Sequence, residues 1–93
     1  LDQIAEDAAM AYLEKHAEDK EPFFMSLNWT KNHQPSVPAE EFKGKSAASS
    51  AYADCVIEMD TRSGRILQKL RELGIDENTL VVYTVDNGAW QDV

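Results

Sequence analysis

The chain has 93 residues, of which 43% are hydrophobic, and nine basic against 17 acidic side chains give a net charge of −8. That length allows one small domain, and that apolar share excludes a disordered polymer. The acidity argues against a nucleic-acid or anionic-membrane partner, and no apolar run nears the ~20 residues that span a bilayer.

The start, Leu1-Asp2-Gln3-Ile4, has no basic region followed by an apolar core, so it does not read as a signal peptide. No initiator Met is present, and the chain reads as beginning inside a longer protein. No compartment can be read from it. Residues 2 to about 18 carry a helical pattern. Ile4, Ala8, Ala11, Tyr12 and Lys15 recur at three- and four-residue spacing on one side. Glu6, Asp7, Glu14, Glu18 and Asp19 are expected on a solvated face. Asp2 is expected to cap the helix start, and Glu21-Pro22 to end the helical region.

Phe23-Phe24-Met25-Ser26-Leu27-Asn28-Trp29 is short, apolar and aromatic, which suits a buried strand. Residues 30 to 47 hold Pro35, Pro38, Gly44 and many polar groups, and read as a long loop. From about Ala48 to Leu73 the helical pattern returns, with Tyr52, Val56, Met59, Ser63, Ile66 and Leu70 as its inner stripe. Cys55 on this helix is the lone cysteine. An internal disulfide is therefore excluded, and a buried thiol is expected. Gly74 is placed to end the helix in the left-handed conformation. Thr79-Leu80-Val81-Val82-Tyr83-Thr84-Val85 is almost wholly β-branched or aromatic and reads as a second buried strand.

A strand, a crossover helix and a second strand imply a parallel pair with a right-handed connection. The expected fold class is therefore α/β, in the order helix, strand, helix, strand. In such sheets ligands bind beyond the carboxyl ends of the strands. Trp29 to His33 and the Asp86-Asn87 pair are then expected on one sheet edge. The same Asn87-Gly88 step also suits a type I′ hairpin turn between Val85 and Trp90. Trp29 and Trp90 are expected to pack rather than to bind substrate.

Several segments, taken in order, resemble the sulfatase family of the alkaline-phosphatase-like superfamily. Pro22-Phe23-Phe24-Met25-Ser26-Leu27 resembles its "PFF" strand, and Asn32-His33-Gln34-Pro35 its "x-H-x-P" segment. Tyr52-Ala53 through Glu58-Met59-Asp60 and Gly64-Arg65-Ile66-Leu67 resemble its long helix. Leu70 through Gly74, Glu77-Asn78-Thr79 and Val85-Asp86-Asn87-Gly88 are similar to its "ENT" and "DNG" run. The resemblance implies that Asp86 and Asn87 ligate a divalent cation, usually calcium. It implies that His33 is the catalytic, sulfate-contacting histidine. Lys31 adjoins it and is expected to touch substrate as well.

The family's nucleophile motif, "C/S-x-P-S-R" converted to formylglycine, does not occur here, because Cys55 is followed by Val56-Ile57-Glu58. Its first pair of metal-binding aspartates and its active-site lysine are missing from the match. One acid and one amide fall short of the 6–8 oxygens that calcium prefers. The chain is therefore read as one partial sulfatase-like domain over 1–93. It carries part of a calcium and sulfate-ester site, lacks formylglycine, and is expected to be inactive alone. A small non-catalytic protein that oligomerises or binds a partner is the alternative. Two bare strands in so short a chain also predict a homo-oligomer formed through strand edges.

Overall fold

Two helices carry the architecture of residues 1–88, which are the residues described by this computed structural model. α1 spans Asp2–His16 and α2 spans Ala51–Glu72, with single 3₁₀ turns at Glu40–Phe42 and Asp76–Asn78. The ends of α2 follow from its sequence. The Ser50 hydroxyl accepts the Ala53 N–H at 3.0 Å, a side-chain N-cap. At the other end Gly74 takes φ +72°, and the Gly74 and Ile75 N–H groups donate back to the carbonyls of Arg71 and Leu70. That pair of bonds is the Schellman closure, which glycine accommodates because it has no Cβ.

The α/β expectation is not met. Among the described residues there is no strand and no sheet. The two segments that read as buried strands carry no ladder, and no hydrogen bond joins 22–33 to 79–88. Strand propensity describes how a side chain fits a pleated, half-buried surface, so it creates no strand where no neighbour supplies that surface. Residues 23–30 nevertheless alternate between half-buried and exposed: Phe23, Met25, Leu27 and Trp29 turn inward, while Phe24, Ser26, Asn28 and Thr30 turn out. This is the two-residue period of an extended chain with one face covered. The Phe23 ring meets Tyr12 of α1 edge-on at 5.8 Å, and the Trp29 indole N–H donates to the Ser63 hydroxyl of α2 at 2.9 Å. Trp29 therefore packs, as expected, whereas Trp90 lies outside the described residues. Along 80–85 no such face exists: Leu80 is 91% exposed and Val82 74%. The radius of gyration is 15.0 Å, against about 12 Å for a compact domain of this length.

The helix faces also differ from expectation. In α1 the buried positions are Asp2, Glu6, Ala9 and Leu13, while Ile4 is exposed. In α2 they are Asp54, Cys55, Glu58, Arg62 and Leu70, while Tyr52 is exposed. The reason is ionic. The Arg62 guanidinium, 1% exposed, donates from Nε to Glu58 Oε2 at 2.9 Å and from Nη1 to Glu6 Oε2 at 2.8 Å. Its Nη1 also donates to Gln3 Oε1 at 2.9 Å, and Arg65 reaches the other oxygen of Glu6 at 3.3 Å. Both guanidinium groups stand over the buried Phe42 ring, 5.6 and 5.9 Å from its centre. Burial alone would disfavour the Arg62 charge, but Glu58 and Glu6 outweigh it and raise its pKa. Cys55 is fully buried, as expected, and burial pushes its thiol pKa up. No helix among the described residues is long and apolar enough to cross a membrane.

Arg62→Met tests this centre. It leaves Glu6 and Glu58 buried without their shared cation, and breaking a buried pair costs about 3–5 kcal/mol. The expected outcome is a lower urea midpoint, or loss of the cooperative transition, read by circular dichroism of the helices. An unchanged midpoint would place Arg62 outside the stabilising core.

Candidate functional site

The residues expected to do chemistry lie on two pieces of backbone. His33 and Lys31 belong to the loop between α1 and α2, while Asp86 and Asn87 follow the exposed 79–85 segment. The loop is irregular, yet buried helix carboxylates fasten it at three places. Asp2, 1% exposed, accepts the Thr30 N–H at 2.8 Å, the Thr30 hydroxyl at 2.6 Å and the Lys31 N–H at 3.1 Å. Glu58 Oε1 accepts the Ala39 N–H at 2.8 Å. Asp54 accepts the Gly44 and Ser46 N–H groups, each at 2.8 Å. A loop with no ladder must satisfy its buried N–H groups elsewhere, and these acids do so. Asp2 is thus a loop anchor and not the helix cap expected of it; the cap position is Leu1.

Between the anchors the chain turns at Asn32, which adopts φ +73°, a left-handed conformation that asparagine tolerates better than most residues. His33 follows and is exposed. Its Nδ1 lies 2.7 Å from the Gln34 carbonyl oxygen. A carbonyl oxygen only accepts, so Nδ1 carries a proton and Nε2 is the atom free to meet a ligand. The Lys31 ammonium donates to the Val37 carbonyl at 2.8 Å and stands 3.8 Å from Glu58 Oε1. Its hydrogen-bonding partners therefore lie within the loop.

Asp86 and Asn87 are exposed, and neither forms a hydrogen bond to the His33 turn among the described residues. The expected strand pairing that would carry them to the His33 edge is absent. No group of three or more His, Cys, Asp or Glu residues suited to a metal occurs among the described residues. Carboxylate and amide oxygens suit a hard cation, but two of them do not make a calcium site. The described residues do not by themselves fit the ion.

Comparison with known proteins bears on this arrangement. A family model described as Sulfatase matches residues 1–90. The chain belongs to the sulfatase family. N-acetylgalactosamine-6-sulfatase of Mus musculus is 35% identical over 89 residues, which is 96% of this chain and 17% of that protein. N-acetylgalactosamine-6-O-sulfatase of Bacteroides thetaiotaomicron is 33% identical over 85 residues, 91% of this chain and 16% of that protein. Steryl-sulfatase of Mus musculus is 37% identical over 87 residues, 94% of this chain and 13% of that protein. The chain thus spans about one sixth of the relatives it matches. No solved structure matches it.

Sequence reasoning missed Asp2, Asp54 and Glu58 as builders of the sulfatase loop. Glu58 and Arg62, four residues apart on one helix, gave a readable signal. The backbone partners of Asp2 and Asp54 gave none.

The anchors make loop stability depend on pH. The Gly44 and Ser46 N–H groups and the Ser46 hydroxyl hold Asp54 below its ordinary value of 3.8. For Asp2, burial pushes the other way, but the Thr30 and Lys31 bonds prevail and lower it. A carboxylate lowered on folding stabilises fully above its unfolded value, and that contribution is lost as pH falls through the folded one. Asp54→Asn should therefore be less stable than the parent near neutral pH, with the gap closing in acid as the pH falls below 3.8 and through the lowered folded value. Urea unfolding at neutral and acid pH checks this. A gap that persists in acid would assign the effect to packing.

Proposed function

We propose that this chain is the part of a sulfuric ester hydrolase that supplies its sulfate-contacting histidine and two oxygen ligands of its divalent-cation site. The observation that carries the reading is the family match over residues 1–90, a span that includes His33-Gln34-Pro35 and Asp86-Asn87-Gly88. Loop geometry supports the His33 role. With Nδ1–H engaged by Gln34, the ring contacts an anion through Nε2, and donation from Nε2 requires the doubly protonated imidazolium. In the same state Nε2 holds a proton that can pass to a leaving alkoxide. Asp86 and Asn87 would hold a calcium ion only with at least four further oxygens from other parts of an intact protein. Calcium supplies charge neutralisation on a sulfate oxygen when bound.

The matched relatives are named for a sulfated amino sugar and for a sulfated sterol at similar identity. The proposed substrate class is accordingly a sulfate ester without further restriction. The isolated chain, which has neither the nucleophile motif nor a complete cation site, is expected to hydrolyse no aryl sulfate. It is also expected to bind calcium no more tightly than about millimolar by calorimetry. In the intact protein His33→Ala should lower kcat for an aryl sulfate by about 10²–10⁴-fold. Full activity of that variant would refute the role. The flanking coding DNA separates this reading from a small non-catalytic protein: a nucleophile motif upstream supports the enzyme, whereas a start codon before Leu1 and a stop after Val93 support the alternative.

The exposed 79–85 segment and the unpaired backbone of 22–30 favour self-association of the isolated chain, since an unpaired apolar extended segment is a pairing template. Sedimentation velocity should give a mass that rises with concentration, and a compact monomer at all concentrations would count against it.

A further inference from the structure

The turn that carries His33 is closed across its neck by a side chain. Lys31 emerges where Asp2 anchors the backbone, and its ammonium reaches over residues 32–36 to the Val37 carbonyl at 2.8 Å. The same ammonium stands 3.8 Å from Glu58 Oε1, the oxygen that accepts the Ala39 N–H at the far side of the neck. The Lys31 side chain is 19% exposed, although His33, Gln34, Pro35 and Val37 around it are all exposed. A lysine held in this way gives up much of its rotamer freedom and needs a compensating charge when its hydration is removed. Glu58 supplies it. Glu58 is also the partner of Arg62, so the Lys31 ammonium and the Arg62 guanidinium share one buried carboxylate.

We propose that Lys31 is a positioning residue: it clasps the 31–37 turn between the Val37 carbonyl and the Glu58 carboxylate, and so fixes where the His33 imidazole stands. Its importance for catalysis rests on the reading of His33 as the sulfate contact; the clasp itself does not.

The test uses the whole 93-residue chain and nuclear magnetic resonance, with Lys31→Met and Lys31→Arg. In Lys31→Met the amides of Thr30 and Ala39, which donate to Asp2 and Glu58 on the two sides of the neck, should exchange about tenfold faster, with the α2 amides unchanged. Lys31→Arg, which keeps the charge and a donor, should restore their protection. Inorganic sulfate added to the parent should shift the His33 ring resonances, and in Lys31→Met that shift should need more sulfate. Unchanged loop protection with sulfate binding lost would make Lys31 a direct anion contact and overturn the proposal. A parent in which sulfate leaves His33 unmoved, while loop protection still depends on Lys31, would refute the sulfate reading and keep the clasp. If Lys31→Met unfolds, the parent's own lysine ammonium signals decide. One ammonium protected from solvent exchange and assigned to Lys31 is expected, and a freely exchanging Lys31 would overturn the proposal.

Discussion

Everything ordered in this chain is built around the guanidinium of Arg62. It lies between Glu58 on its own helix and Glu6 on the other, with Phe42 of the intervening loop beneath it. One cation thereby joins three parts of the sequence that are distant along the chain. An apolar residue there could pack, but it could not fix the rotation of both helices. Glu6 and Glu58 are buried because Arg62 is there, and their burial decides which side of each helix faces inward. Buried ionic groups are weak evidence for stability, since desolvation offsets much of their attraction. Here their consequence is orientation. Among the described residues the buried apolar ones, Ala9, Leu13, Phe42, Cys55 and Leu70, are few.

The same stripe of α2 continues outward into the loop. Asp54, Glu58 and Arg62 are spaced four apart and form one line along the helix. Arg62 holds the other helix, Glu58 holds Ala39 and faces Lys31, and Asp54 holds Gly44 and Ser46. Asp2 on α1 completes the set from the opposite side at Thr30 and Lys31. A long irregular segment is thus fixed by side-chain acceptors in place of a backbone ladder. A histidine on an otherwise polar, exposed turn acquires a defined position in this way, and a defined position is what contact with a particular anion requires.

The helices, their approximate ends, the left-handed Gly74 and the long loop were legible from local rules. Periodicity and the glycine stop act within a few residues of one another. The buried faces were not legible. A rule that sends acids outward fails where an arginine 56 residues away neutralises one of them, as Arg62 does for Glu6. The strands failed for a related reason. Phe23–Trp29 and Thr79–Val85 have the composition of buried strands, but strand formation depends on neighbours, and composition records only the tendency. The family was legible because motif order along the chain does not depend on how the chain packs. The convergence of His33 with Asp86 and Asn87 depended on the strand pairing, and without that pairing nothing in the described residues brings them together.

The two halves of the candidate site therefore stand at different stages of construction. The His33 half is complete in itself: its turn has three carboxylate anchors, and its ring has one nitrogen engaged and one free. The Asp86-Asn87 half sits beyond a segment whose Leu80, Val82 and Val85 are 91%, 74% and 70% exposed. Burying one such side chain is worth about 1.5–3 kcal/mol, so whatever covers this segment gains several kcal/mol. That surplus is available to order the backbone beyond it and so to bring the acid and the amide into one ligand set. A hard cation needs its oxygens held at fixed distances, and an exposed extended segment cannot hold two of them so. On this chain the proposed cation site thus depends on the covering of the 79–85 segment, whereas the turn that holds His33 is in place without it.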